Sequence, residues 1–298
     1  MAERLELTSR VMVLQGAVNM TLVRVQNGVV AIDTGLDKSS GKALLREAAA
    51  MNAPMIGVIN THAHADHFGG NRTILAAHPA KVYAPMIEAD VILRPLWEPE
   101  YLWMGADPPR LLQNKFLLAP ASPVDETFAP GESLLIDGVC FQTVALPGHS
   151  KGQSGVLVDG VLVAADAYFG REVTQKHGIP FLVDFPQTIS SARAVAQTPA
   201  EWYVPGHGAA TENPSPDIDY LCERHQEIYT VIGAKLETGW CTLEDVVAHV
   251  ILHYELAPQG LGPYTLLRTS VAAYLSEASN RGDLTWDVRD GRLCAKAE

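Results

Sequence analysis

Long apolar runs are missing from this chain. No stretch approaches the ~20 residues that a membrane span requires, and the opening Met1-Ala2-Glu3-Arg4-Leu5-Glu6 lacks the basic-then-apolar order of an export signal. A protein that stays in the cytoplasm is expected, with no membrane partner. Cysteine is scarce as well: Cys140, Cys222, Cys241 and Cys294 stand far apart without CxxC spacing, which excludes a disulfide framework or a thiolate metal knuckle. Positive charge is in deficit, with 22 Lys and Arg against 34 Asp and Glu and a formal charge of −12. Such a surface repels polyphosphate, so nucleic acid is a poor expected partner. What is present is an ordinary globular composition, 47% hydrophobic and 19% charged over 298 residues. That supports one main core with a smaller appendage.

Up to about residue 213 the pattern alternates β-branched apolar runs with amphipathic stretches. Strands are expected at Val11–Leu14, Thr21–Val25 and Val29–Ile32, the last two joined by Gln26-Asn27-Gly28. A helix capped by Ser39 or Ser40 should run to about Met51, followed by a strand at Ile56–Ile59, a helix at His67–His78 and a strand at Lys81–Tyr83. Further strands are expected at Phe141–Ala145, Ser154–Val158, Val161–Ala164 and Trp202–Val204, with a short helix at Ser190–Val195. Strand groups with intervening helices imply two sheets with helices packed outside. From Pro214 onward the pattern becomes helical: Ile218–Leu236, Thr242–Leu252 and Pro263–Ser279, then a hairpin of Leu284–Val288 and Arg292–Ala295. Three helices followed by a β-wing make a winged-helix order, which divides the chain into 1–213 and 214–298.

The chemistry is concentrated after the Ile56–Ile59 strand, in Thr61-His62-Ala63-His64-Ala65-Asp66-His67-Phe68-Gly69-Gly70. On an extended loop His62 and His64 point the same way, so both imidazoles can hold one ion. Asp66 and His67, where the chain turns into a helix, can face a second. Three more candidates each follow an expected strand: His149 in Leu-Pro-Gly-His-Ser, Asp166 in Ala-Asp-Ala, and His207 in Val-Pro-Gly-His-Gly. A lone histidine in such a loop is more often structural. Their shared placement at strand ends, where layered α/β folds build sites, reverses that reading.

In this set of residues the sequence resembles the metallo-β-lactamase-fold hydrolases, whose H-x-H-x-D-H motif and later His, Asp and His are matched at every position. The resemblance covers roughly residues 8 to 210. It implies a four-layer αββα sandwich and two metal positions, one from His62, His64 and His149, the other from Asp66, His67 and His207, with Asp166 bridging them. It also implies that Asp33, in Ile-Asp-Thr-Gly, orients the ligands from behind. Five imidazoles and two carboxylates suit two Zn²⁺ ions, with Fe or Mn as alternatives. Two ions ~3.5–4 Å apart can hold a water and lower its pKa towards ~7, while Asp66 or Asp166 serves as the catalytic proton carrier. Within the family, exported zinc β-lactamases lack the aspartate matched by Asp166. Flavodiiron-type oxidoreductases carry a glutamate where His64 stands, and glyoxalase II has a different signature around its last histidine.

The expected activity is hydrolysis of a small-molecule ester, thioester or lactone. An iron-dependent sulfur dioxygenase and a single-strand endoribonuclease of the same fold are the alternatives. The C-terminal segment is similar in element order to winged-helix domains appended to some of these hydrolases. With 7 Lys and Arg against 13 Asp and Glu in residues 215–298, it is expected to pack on the hydrolase unit or on a second copy of the chain rather than on nucleic acid. Residues 84–130 form a long connection rich in Leu, Pro and aromatics, read either as core cover or as a lid. Trp97, Trp103 and Phe116 on that segment, with Tyr168, Phe169, Phe181 and Leu182 after Asp166, are the expected apolar walls of a substrate site.

Overall fold

The computed structural model describes residues 3–298. The chain opens with β1 (Glu3–Glu6), β2 (Val11–Gln15), β3 (Met20–Arg24), β4 (Val29–Ile32), α1 (Lys38–Ala50), β5 (Met55–Ile59), α2 (Ala65–Phe68), α3 (Asn71–Ala77) and β6 (Lys81–Pro85). The middle runs α4 (Met86–Leu93), α5 (Trp97–Leu102), a 3-10 turn (Arg110–Leu112), β7 (Glu126–Phe128), β8 (Ser133–Ile136), β9 (Val139–Ala145), β10 (Ser154–Val158) and β11 (Val161–Ala165). After α6 (Arg171–His177), α7 (Phe185–Gln197) and β12 (Trp202–Pro205) come α8 (Ser215–Glu237), β13 (Cys241–Thr242), α9 (Leu243–His253), α10 (Leu261–Arg281), β14 (Leu284–Arg289) and β15 (Arg292–Ala297).

β1 to β7 form one sheet in sequence order, antiparallel as far as β4 and parallel from β4 to β7. The second sheet has the order β12-β11-β10-β9-β8, antiparallel except for the parallel β11–β12 pair. Strand alternation assigns the layers. Val11 and Val13 of β2 face Phe141, Val156, Val163 and Val204 of the other sheet. Met12 and Leu14, between and beside them, pack outward with Leu44 of α1 and Ile74 of α3. On the far side Leu162 and Ala164 of β11 pack against Ala192 and Val195 of α7 and Ile218 and Leu221 of α8. Helix, sheet, sheet, helix is the expected αββα order, and burial on both faces explains why the central strands read as unbroken apolar runs.

The C-terminal helices build a further core from Ile228, Ile232, Val246, Val250, Val271 and Tyr274. Leu182 and Phe185, from the segment entering α7, belong to the same cluster. The expected terminal hairpin is present as β14–β15, and the two-residue β13 adds to it as a third strand.

Several boundaries differ from the sequence expectation. The cap of α1 is Asp37, whose carboxylate accepts the Ser39 N–H at 2.9 Å, rather than Ser39 or Ser40. The expected His67–His78 helix is two helices broken at Gly69-Gly70. A Cβ on Gly69 would lie 2.0 Å from the Leu36 carbonyl oxygen and one on Gly70 2.3 Å from that of Thr34, so the β4–α1 connection lies against bare backbone here. The short helix at Ser190–Val195 extends to Phe185–Gln197, capped by Asp184. Residues 84–130 supply Ala89, Ile92, Leu102, Leu112 and Phe128 to the interior, so much of that long segment is core cover.

Candidate metal centre

Five of the seven candidate side chains leave the loop just beyond a strand, and the other two sit in the short helix that follows β5. His62 and His64 follow β5, Asp66 and His67 sit in α2, His149 follows β9, Asp166 follows β11 and His207 follows β12. The two sheets deliver these ends to one edge of the sandwich. His64 Nδ1 lies 2.9 Å from His149 Nε2. Asp166 Oδ2 is 3.1 Å from His149 Nε2 and 3.5 Å from His207 Nε2, while its Oδ1 is 3.4 Å from His67 Nε2. Asp66 Oδ2 is 3.4 Å from His207 Nε2. Ligand atoms of His62, His64 and His149 fall within 4.8 Å of one another, as do those of Asp66, His67 and His207 and those of His62, His67 and Asp166.

The imidazoles are aimed by bonds on their outer sides. His67 Nδ1 donates to Asp33 Oδ2 at 2.8 Å, and Asp33 also accepts the Thr61 N–H at 2.8 Å and the Thr61 hydroxyl at 2.7 Å. His149 Nδ1 donates to the Phe181 carbonyl at 3.0 Å and His207 Nδ1 to that of Ala17 at 2.6 Å. Each of the three therefore presents Nε2 inward, the outer-sphere pattern that fixes a metal-binding tautomer. Asn19, which no motif marked, holds the His207 loop by donating to the Pro205 and Gly208 carbonyls, both at 2.8 Å. Packing is tight enough that a Cβ on Gly206 would lie 1.9 Å from Asp166 Oδ1.

The donor set fits a metal pair. His62 Nε2, His64 Nε2, His67 Nε2 and Asp166 Oδ1 are fully buried without a hydrogen-bond partner. Buried polar atoms are normally satisfied, and four converging exceptions mark a place for a cation. Electrostatics agree. Burial, reinforced by neighbouring imidazoles, drives His62 well below its ordinary pKa and His64 down to about 3. Burial also opposes charge on His67 and His207, yet Asp166 with its fellow carboxylates pushes His67 well up and His207 up to about 10. Asp66 is held down to about 2 against the cost of burial by His67 and His207, and Asp166 is lowered likewise by His207, His67 and His149. The carboxylates thus stay ionised and demand positive charge beside them.

Above the cluster opens a cavity of about 560 Å³. Its floor is His64, Asp66, His149, Asp166 and His207, and its walls include Phe116, Phe169, Phe181, Leu256, Leu266 and Leu267. Three of the expected wall residues, Phe116, Phe169 and Phe181, are there. Trp97 is a surface side chain, Trp103 packs beside Leu102 and Leu112, and Tyr168 and Leu182 are fully buried in separate cores, so these four do not line the cavity. The C-terminal wall from Leu256 to Ser270 carries no motif to mark it. Glu98 of α5 also lines the cavity, and burial, with the fields of Asp66 and Glu88, raises its pKa well above the usual carboxylate range.

Comparison with known proteins agrees with this geometry. Residues 13–207 match the model of the Metallo-beta-lactamase superfamily. The uncharacterized protein YobT of Bacillus subtilis is 28% identical over 215 residues, 66% of this chain and 86% of that protein. A hydroxyacylglutathione hydrolase of Shewanella oneidensis is 26% identical over 183 residues, and the match spans 59% of this chain and about half, 55%, of that relative. The crystal structure of a beta-lactamase domain protein from Burkholderia ambifaria superposes with a TM-score of 0.78 at 15% identity, covering 99% of this chain and 94% of that one. Among the described residues no helix is long and apolar enough to cross a membrane. With two thirds of its length matched and the motif's side chains gathered at one sheet edge, the chain belongs to the metallo-beta-lactamase superfamily of metal-dependent hydrolases.

Proposed function

We propose that this enzyme is a dinuclear zinc hydrolase that cleaves a small-molecule ester, thioester or lactone carrying an apolar acyl group. The observation that carries this reading is the pair of donor triads, joined through Asp166, beneath a cavity with mainly apolar walls. His62, His64 and His149 would hold one ion, Asp66, His67 and His207 the other, and Asp166 would contact both. A pair of divalent ions supplies Lewis acidity and a nucleophilic water at neutral pH.

The remaining steps belong to the chain. Asp66, whose side chain is 29% exposed against 4% for Asp166, faces the cavity and is the proton carrier. It takes up the proton released as water attacks and returns it to the departing oxygen or sulfur. Asp166, buried between three imidazoles, stays ionised and fixes the two halves of the cluster. Phe169, Phe181, Leu266 and Leu267 exclude bulk water and receive the acyl chain, each Å² buried contributing ~25 cal/mol. Several relatives bear the name hydroxyacylglutathione hydrolase, which supports acyl-transfer chemistry to water. The cavity lining of this chain offers one lysine, Lys176, so a substrate with several carboxylates is disfavoured. Residues 214–298 act on this reading as the outer wall of the substrate site.

Elemental analysis and a substrate panel test the proposal. Two zinc ions per chain and a kcat/KM that rises with acyl length are expected. A single iron with oxygen consumption on a persulfide would replace the reading by the sulfur dioxygenase, and RNA as the best substrate would replace it by the endoribonuclease.

A further inference from the structure

Glu88 is a carboxylate in the first turn of α4, only 4% exposed, and it touches none of the seven candidate ligands by hydrogen bond. Its two oxygens receive three donors. Oε2 accepts the Ala63 N–H at 2.9 Å, and Oε1 accepts the Ser150 hydroxyl at 2.8 Å and the Gly152 N–H at 2.6 Å. Ala63 lies between His62 and His64 on the loop after β5. Ser150 and Gly152 follow His149 on the loop after β9. The two loops come from different sheets, so one side chain joins the two stretches of backbone that carry the first triad. The fit is close, since a Cβ on Gly152 would lie 3.0 Å from both Cγ and Oε1 of Glu88. Burying a carboxylate is costly unless donors surround it, and here burial pushes the Glu88 pKa up against the pull of its three donors.

Nothing comparable reaches the second triad from Glu88: His67 is set by Asp33 and His207 by the Ala17 carbonyl. We propose that Glu88 is a positioning residue that locks the His62–His64 loop to the His149 loop and so sets the affinity of the first metal position without touching it. This rests on the dinuclear reading above. Acceptor chemistry makes the residue type specific. A glutamine at 88 keeps the shape and still offers one oxygen to Ser150 and Gly152, but it turns an NH₂ onto the Ala63 N–H, donor against donor.

The test is a titration of zinc into apo protein with a competing chelator, together with the visible spectrum of the cobalt-substituted form. It compares wild type, Glu88→Gln, Glu88→Ala and Ser150→Ala. Glu88→Gln should bind one ion as wild type does and the other ~10–100-fold more weakly, the range for outer-sphere partners. The spectral change should fall on the band lost in His64→Ala rather than the one lost in Asp66→Ala. kcat should fall more than KM rises, and Ser150→Ala should show a smaller effect at the same position. Native affinity at both positions in Glu88→Gln and Ser150→Ala, whatever their melting temperatures, would overturn the proposal and leave Glu88 a brace of the fold. Should Glu88→Ala not fold, those two variants decide. Wild type that binds fewer than two ions tells against the dinuclear reading instead, so the two failures are distinguishable.

Discussion

The floor and the far wall of the cavity are built on opposite principles. On the floor, seven polar side chains come from four separate stretches of chain; His67, His149 and His207 are locked by bonds to Asp33, Phe181 and Ala17, Asn19 holds the loop of His207, and a single Cβ at Gly206 would displace Asp166. The wall from the C-terminal helices is apolar, and Leu256, Leu266 and Leu267 meet the space by shape alone. Directional bonds fix atoms to tenths of an ångström, whereas apolar contact is proportional to area and tolerant of exchange. On the proposed function, chemistry therefore belongs to the floor and selection to the wall. Damage to the floor should lower turnover for every substrate alike, and damage to the wall should rank substrates differently.

The largest effect is expected from Asp166→Ala. This side chain lies within 3.5 Å of nitrogens from both triads, so its loss should lower metal content at both positions and kcat/KM by ~10³-fold or more, a loss of ~4 kcal/mol in transition-state stabilisation. Equal losses on short and long acyl substrates are the sharpening outcome. Near-native turnover with two ions bound would break the assignment of Asp166 to the floor.

Asp33→Asn comes next. Asparagine retains the size, but its NH₂ must face either the Thr61 N–H on the Oδ1 side or the Thr61 hydroxyl and His67 Nδ1 on the Oδ2 side, so at least one of the present bonds is lost. A ~10–100-fold weakening of metal binding is expected, confined to the second position, where His67 belongs. Isothermal titration with zinc measures it, and a loss at the first position alone would contradict the role of Asp33 behind His67.

These floor residues were legible in sequence because their spacing is local: four of seven stand within six residues, and the others each follow a strand that alternation reveals. The clamps were harder. Asp33 was carried by the resemblance, but Asn19 and Glu88 act on loops far away in sequence, and nothing near them announces it. Helix α4 inverts the usual pattern, with Met86 and Ile87 exposed and Glu88 buried, so hydrophobic periodicity could not find it. The wall was read only in part, through Phe116, Phe169 and Phe181, for a similar reason. Aromatic content singled out Trp97 and Tyr168, whereas contact with the cavity falls to leucines and prolines near residue 260 that only tertiary folding brings across. The helix break at Gly69-Gly70 was not expected, because the backbone lying against the pair, at Leu36 and Thr34, comes from more than thirty residues upstream.

Wall substitutions should produce the reordering. Phe116 is 64% exposed at the cavity, so Phe116→Ala removes a cavity wall at little cost to the core, and Leu266→Ala opens the wall from α10 with a further loss of packing against Leu102, Leu112 and Leu117. At ~25 cal/mol per Å², losing a contact of roughly 40–60 Å² lowers kcat/KM about 5- to 13-fold for a long acyl chain and less than 2-fold for acetyl. Metal content should stay at the wild-type value. A uniform loss across the acyl series would show that the two regions are not separate in function.

The smallest effect concerns the scaffold of the wall. The Thr242 hydroxyl accepts the Asp245 N–H at 3.1 Å, and the Asp245 carboxylate accepts the Thr242 N–H at 2.8 Å, a reciprocal cap at the start of α9. Thr242→Ala should cost about 1 kcal/mol of stability, read as a lower melting temperature. The metal floor and kcat on acetyl esters should be unchanged, because neither Thr242 nor Asp245 lines the cavity. The Asp245 carboxyl is held below its ordinary pKa chiefly by the Thr242 side chain and N–H. Its ionised form therefore stabilises the fold above the unfolded value of about 3.9, and that share is lost as pH falls through the lower folded value. The gap in melting temperature between Thr242→Ala and wild type should accordingly be full at pH 7 and narrow on acidification below pH 4. A gap that stayed constant in acid would mean that the cap works through the hydroxyl alone, and a fall in kcat at pH 7 would tie the wall's scaffold to the chemistry of the floor.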